Sequence, residues 1–303
     1  MPKKFIPLIG LIISWLVANS VADAKTCSLF LDDGWQLRDA SLLADDGASI
    51  SRADYQSASW LRATVPGTVL TSLVNDGVYP EPLYGENNLS IPDSLCRHSY
   101  WYRTTFTAPA DWRGRRIWLH FDGINYHAEV WVNGRKVGDV AGAFARGIFD
   151  VTDQVRPGTL AVVAVHIFPQ PHPGSSHQKT MAAGTGPNGG VSAEDGPTFL
   201  CSIGWDWIPT IRDRNTGIWQ AVRLTSSGPV VLQNPYVTTR LPLPRTDTAD
   251  LTVQVTLSNA TDHAQSGVLK GQAEAEIRFE KTVALAPHEV RVLTFCPTNA
   301  ASL

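Results

Sequence analysis

The sequence predicts an all-β protein, a β-sandwich of the jelly-roll or immunoglobulin kind. Three observations carry that prediction. Side chains alternate at period two over 101–107, 117–122, 128–132, 160–168, 219–225, 251–257 and 290–295, the pattern of strands with one buried face. Most of these runs are short and end in Gly, Pro, Asn or Asp, the residues that turns require. No strand–helix–strand alternation occurs, so a parallel sheet is not expected, and many short strands punctuated by turns belong to sandwiches.

In chain order, the first segment reads as an export leader. Lys3 and Lys4 precede an apolar run over 5–18, and Ala22 and Ala24 stand at the −3 and −1 positions of a small-residue cleavage site. The run is shorter than the roughly 20 residues that cross a bilayer, so cleavage after Ala24 is expected, with a secreted or periplasmic product starting at Lys25. Cys27, Cys96, Cys201 and Cys296 are too few and too scattered for a disulfide scaffold and show no CxxC spacing. Three pairings of the four are open.

The one helix expected covers 68–75. Thr68 can cap it, Val69, Leu70, Leu73 and Val74 recur at helical spacing, and Asp76-Gly77 supplies a stop. Further on, Asn133-Gly134 between the runs 129–132 and 135–137 is a strong hairpin signal, because both residues tolerate the positive φ of a type I′ turn. Trp118 and Trp131 sit in alternating runs and read as packing residues. Two stretches break the pattern: a Pro/Gly/Ser-rich loop at 169–200, and 226–244, which ends in Leu241-Pro242-Leu243-Pro244. All ten tryptophans lie at or before Trp219, which places a boundary near residue 230. The expected organisation is a signal peptide at 1–24, one β-domain at 25–229 and a second at 230–303.

Composition narrows the function. The 303 residues are 43% hydrophobic and 17% charged with a net charge of −3; this builds a core but lacks the basic footprint of a nucleic-acid binder. Neither nucleic acid nor membrane is an expected partner. A sandwich plus a (β/α)8 barrel of about 250 residues exceeds this length. No phosphate loop, nucleophile elbow or HExxH helix occurs. His166, His172 and His177 fit no zinc signature; no metal and no cofactor are expected.

Eight ordered motifs then stand out: Val-Pro-Gly-Thr-Val-Leu (65–70), Gly-Val-Tyr-Pro-Glu-Pro-Leu-Tyr-Gly-Glu-Asn-Asn-Leu (77–89), Tyr-Trp-Tyr-Arg (100–103), Trp-Leu-His-Phe-Asp-Gly-Ile-Asn-Tyr (118–126), Val-Trp-Val-Asn-Gly (130–134), Asp-Gly-Pro-Thr-Phe (195–199), Gly-Trp-Asp-Trp-Ile-Pro (204–209) and Arg-Asp-Arg-Asn-Thr-Gly-Ile-Trp (212–219). Together they resemble the amino-terminal sugar-binding domain of family 2 glycoside hydrolases, most of all secreted exo-β-D-glucosaminidases, with β-mannosidases as near relatives. The resemblance implies a jelly-roll β-sandwich at 25–229 followed by an immunoglobulin-like β-sandwich at 230–303, incomplete and with unpaired edge strands, and retaining hydrolysis by two carboxylates about 5 to 5.5 Å apart, both on a barrel that follows the immunoglobulin-like domain. No catalytic residue is therefore assigned here, and the missing catalytic barrel is an expected partner. The implied role is the non-catalytic amino-terminal part of an exo-β-D-glucosaminidase, contributing one wall of a pocket for chitosan-type or mannoside oligosaccharides. A β-mannosidase fragment and a freestanding carbohydrate-binding module are the alternatives.

The resemblance places Trp205, Asp206 and Trp207 in that wall: sugar faces pack on indoles, and a carboxylate accepts hydrogen bonds from hydroxyls or pairs with a glucosaminyl ammonium. Asn87 and Asn88 are the second candidates, since amides both donate and accept. Glu194 and Asp195 end the long loop and can line the same mouth. Arg212, Asp213, Arg214 and Asn215 read instead as an internal network fixing the Trp-Asp-Trp loop. Asn88-Leu89-Ser90 and Asn259-Ala260-Thr261 match the glycosylation sequon.

Overall fold

Residues 11–17, 27–175, 181, 211–273 and 277–300 are described by the computed structural model. The chain divides into two compact units, one formed by Ser28–Ser226 and the other by Met1–Cys27 with Ser227–Leu303.

After β1 (Leu11–Val17), the elements of the larger unit are β2 (Cys27–Phe30), β3 (Gln36–Asp39), α1 (Gly47–Ile50), β4 (Leu61–Arg62), α2 (Val69–Asn75), α3 (Asn87–Ser90), β5 (Tyr100–Thr107), β6 (Arg116–Phe121), β7 (His127–Val132), β8 (Arg135–Ala141), β9 (Gly147–Asp150), β10 (Leu160–Phe168) and β11 (Val222–Ser227). They form a six-stranded sheet, β4-β3-β5-β10-β7-β8, and a four-stranded sheet, β2-β11-β6-β9. Alternation decides the faces. Tyr102, Val165 and Val130 are direct cross-strand neighbours, and all are fully buried. In β6, Ile117, Leu119 and Phe121 are buried while the residues between them are half-exposed. Trp118 and Trp131 are half-buried, and Trp131 packs against the cluster of Ile50, Trp60, Trp101 and Ala164, as expected of a packing residue.

The local signals act as their chemistry requires. The Thr68 hydroxyl accepts the Thr71 N–H at 3.2 Å, Val69, Leu70 and Leu73 point inward, and Gly77 ends the helix at φ +76°. Asn133 and Gly134 take φ values of +47° and +83°, which joins Val132 directly to Arg135 across the hairpin. The run expected at 219–225 begins as a strand only at Val222; Trp219 instead donates its indole N–H to the Ala143 carbonyl at 2.8 Å.

The smaller unit holds β1 and, in chain order, β12 (Val230–Arg240), β13 (Asp250–Asn259), β14 (Gln265–Ala273), β15 (Ile277–Leu285) and β16 (Val290–Phe295). Its sheets are β1-β14-β15 and β12-β13-β16, and its core gathers residues such as Val255, Leu257, Leu269, Phe279 and Phe295. One expectation is corrected here: 226–244 is no simple break, because β12 occupies most of it. The strand is interrupted at Asn234-Pro235, where the register to β13 shifts between Gln233 and Tyr236 and Asn234 turns to φ +49°. A proline has no N–H for the ladder and sits at such a bulge, which hides the strand from a period-two pattern. Leu11–Val17, inside the apolar run of the expected leader, pairs with β14 from Leu11↔Ala273 to Val17↔Gly267.

Candidate functional site

A groove of about 650 Å³ opens in the larger unit. One wall is α2, through Thr71, Val74 and Asn75; the other is the turn leading into α3, with Glu81, Glu86 and Asn88. Ile211 and Asn215 close its end. The rim is apolar and open at Pro82 and Leu83, the latter 92% exposed. The groove thus combines apolar walls with two carboxylates and amides, the mixture that small polar ligands require for burial and orientation.

The groove is held by what lies beneath it. Asp213 is fully buried; its Oδ2 accepts the Leu70 N–H at 2.7 Å and its Oδ1 accepts the Asn215 N–H at 2.9 Å. Burial raises its carboxyl above the ordinary aspartate range, against the pull of those donors. Arg214, also fully buried, donates Nε to Pro173 O at 2.6 Å, Nη1 to Ile211 O at 2.8 Å and Nη2 to Asp93 Oδ1 at 2.9 Å. Asn125 Nδ2 bridges the carbonyls of Arg214 and Asn215, each at 2.9 Å. One planar guanidinium therefore ties three chain segments together in a way a lysine cannot reproduce. This is the internal network expected of 212–215, and it fixes α2 against the residues that follow the Trp-Asp-Trp motif.

The predicted site residues fare differently. Asn88 lines the groove, and its carbonyl accepts Arg212 Nε at 3.2 Å. Asn87 does not line it: its amide donates to the Glu81 carbonyl at 3.0 Å, a turn contact that explains an Asn without a ligand. Trp205, Asp206, Trp207, Glu194, Asp195 and His177 lie outside the described residues. His166 stacks on Trp101, ring centroids 4.3 Å apart. Asn259 is buried and its amide donates to the carbonyls of His263 and Ala286 at 2.7 and 2.8 Å, so the second sequon is structural. Cys96 and Cys296 carry free thiols. Sequence reading missed the groove walls in α2 and at Glu81 and Glu86; the signal available was that Thr71 and Asn75, one turn apart, form an exposed polar face opposite the apolar face of α2.

The larger unit is thus a two-sheet antiparallel β-sandwich with a groove between a short capped helix and an Asn-bearing turn. The family model for the glycosyl hydrolase 2 galactose-binding domain-like module matches residues 35–220, and the chain belongs to glycoside hydrolase family 2. It is 34% identical over 274 residues to an exo-β-D-glucosaminidase of Streptomyces avermitilis, covering 89% of this chain and 27% of that protein. It is 35% identical over 214 residues to a mannosylglycoprotein endo-β-mannosidase of Lilium longiflorum, covering 68% of this chain and 22% of the relative. The crystal structure of an exo-chitosanase from Amycolatopsis orientalis superposes with a TM-score of 0.70 at 28% identity, covering 89% of this chain and 28% of that one. The chain thus spans about a quarter of the length of the relatives it matches.

Proposed function

We propose that this chain is the non-catalytic amino-terminal part of a secreted, retaining exo-β-D-glucosaminidase, and that its groove, completed by Asp206 and its flanking tryptophans, forms one wall of the pocket for a terminal glucosamine. The observation that carries this reading is the likeness, over nine-tenths of the chain, to exo-β-D-glucosaminidases, joined to a groove whose far end, Ile211, lies four residues beyond Trp207. Chemistry fits: Glu81, Glu86 and Asp206 present carboxylates to a cationic amino sugar, and Asn88 presents an amide to hydroxyls. The two reacting carboxylates belong to the catalytic barrel, so the part played here is orientation of the terminal sugar and exclusion of water around it.

A mannoside-directed reading is favoured by the lily relative, whose identity to this chain is as high, though over a shorter stretch. Two assays test the proposal. The chain alone, incubated with chitobiose, releases no glucosamine above a buffer blank; turnover would overturn the non-catalytic role. In an enzyme carrying these residues together with a barrel, Asp206→Asn lowers kcat/KM for chitobiose by at least about tenfold, roughly 1.4 kcal/mol of transition-state binding. An unchanged value would return Asp206 to a structural role.

A further inference from the structure

In the smaller unit, β14 is a central strand because β1 lies beside it. That pairing runs without a break from Leu11↔Ala273 to Val17↔Gly267, and on its other side β14 pairs with β15 from Gln265↔Leu285 to Ala273↔Ile277. With cleavage after Ala24, the first of these ladders leaves with the leader. The sheet then has two edges, β14 and β15, and their chemistry differs.

β15 is guarded against a further strand. Phe279, Lys281 and Val283 share one row of its register with β14; Phe279 and Val283 are buried in the core, while Lys281 between them is exposed. A strand added at this edge would draw the Lys281 charge out of water, so the edge resists pairing. Arg278 and Glu280 add exposed charges to the other face. β12, an edge strand of the facing sheet, is guarded differently, by the bulge at Pro235.

β14 has neither protection. The row that matches Phe279, Lys281 and Val283 is Gly271, Leu269 and Gly267, all buried, and no proline or register shift interrupts 265–273. Its one charge, Lys270, lies in the other row and reaches Glu280 of β15 at 3.6 Å. Gly271 is required where it stands, because the Phe279 ring takes the space of a Cβ. Two glycines leave this row with Leu269 as its only side chain, so most of the apolar surface there must come from a neighbouring strand. Opposite Gly267, Leu269 and Gly271 stand Val17, Trp15 and Ile13, and Leu11–Val17 contains no charged residue.

We propose that the edge of β14 over 267–273 is a strand-acceptor site: the exported protein binds there an extended, uncharged segment of a partner polypeptide, in antiparallel register, with large apolar residues opposite Gly267, Leu269 and Gly271. In the precursor the leader holds that place and keeps the edge from pairing with other chains. Ladder hydrogen bonds supply the affinity, and the alternating row supplies the selection. The site lies in the smaller unit and is independent of the groove and of the role given to Asp206.

The test uses the full chain with a site for a sequence-specific protease placed over 19–24, folded and then cut, so that its outcome does not depend on where export cleaves. The probe is a fluorescent peptide of the sequence Leu11–Val17 flanked by lysines, added in excess and read by anisotropy. The cut chain takes up the probe and unfolds at a higher temperature with it, whereas the uncut chain takes up none. A probe carrying Ile13→Pro and Ser14→Pro binds at least about tenfold more weakly, because neighbouring strand residues point their N–H groups to opposite sides and one of the two prolines always deletes a ladder donor. A cut chain that ignores the probe, or takes up both probes alike, overturns the site, as does uptake that is the same before and after the cut. A cut chain that sediments as a dimer and excludes the probe also overturns it, and would give the edge to a second copy.

Discussion

His120 shows how burial converts one side chain into a pH-dependent term. Its Nε2 lies 2.8 Å from Thr225 Oγ1, and burial, assisted by the Arg223 charge, pushes its pKa from 6.5 down to about 4. The unfolded chain therefore takes up a proton before the folded one does. Stability contributed by the neutral imidazole is complete above pH 6.5 and is lost as pH falls toward 4. His120→Gln, followed by urea denaturation at pH 7 and pH 4.5, should flatten that dependence; an unaltered slope would contradict it. At Arg214 the demand is geometric. Arg214→Lys supplies one nitrogen where three make contacts, and should lower unfolding free energy by about 2 to 4 kcal/mol, read from the denaturation midpoint. That Arg-Asp-Arg-Asn is an internal network was legible, but its partners were not: Asp213 takes its donors from Leu70 and Asn215, and Arg214 reaches Asp93 and Pro173. Nor were the separate fates of Asn87 and Asn88: both amides have the same chemistry, and only the path of the Glu81 turn decides which faces the groove.

Elements were legible where a single local rule sufficed. The cap, apolar spacing and stop of α2, and the turn at Asn133-Gly134, need only neighbouring residues. Thr68→Ala should cost about 1 kcal/mol by removing the acceptor of the Thr71 N–H; because α2 also forms a groove wall, the same variant should loosen amide exchange at Leu70–Leu73. β12 was hidden because its Pro235 bulge breaks the period on which strand recognition depends. β1 poses the opposite case, since one apolar run serves a leader and a strand equally well. If cleavage follows Ala24, the exported protein begins at Lys25 and β14 loses β1, exposing a ladder of backbone groups. Intact-mass measurement of the exported chain should therefore give a product starting at Lys25; a mass that retains residues 1–24 would assign β1 permanently to the smaller unit.

For the whole molecule, the all-β class and family 2 membership followed from many short strands and eight motifs in fixed order, properties of the sequence that survive local irregularity. The row of Trp101, His166 and Glu129 did not follow, because these residues are far apart along the chain and meet only through strand register. What the molecule does rests on the claim that it supplies the sugar-facing wall to a catalytic barrel. The most direct measurement is exchange: residues 25–303 replace the matching region of the Streptomyces avermitilis exo-β-D-glucosaminidase, and kcat/KM for chitobiose is determined with and without Asp206→Asn. The account predicts an active chimera that loses at least about tenfold on that substitution. A folded chimera that is inactive, or one indifferent to Asp206→Asn, would contradict it.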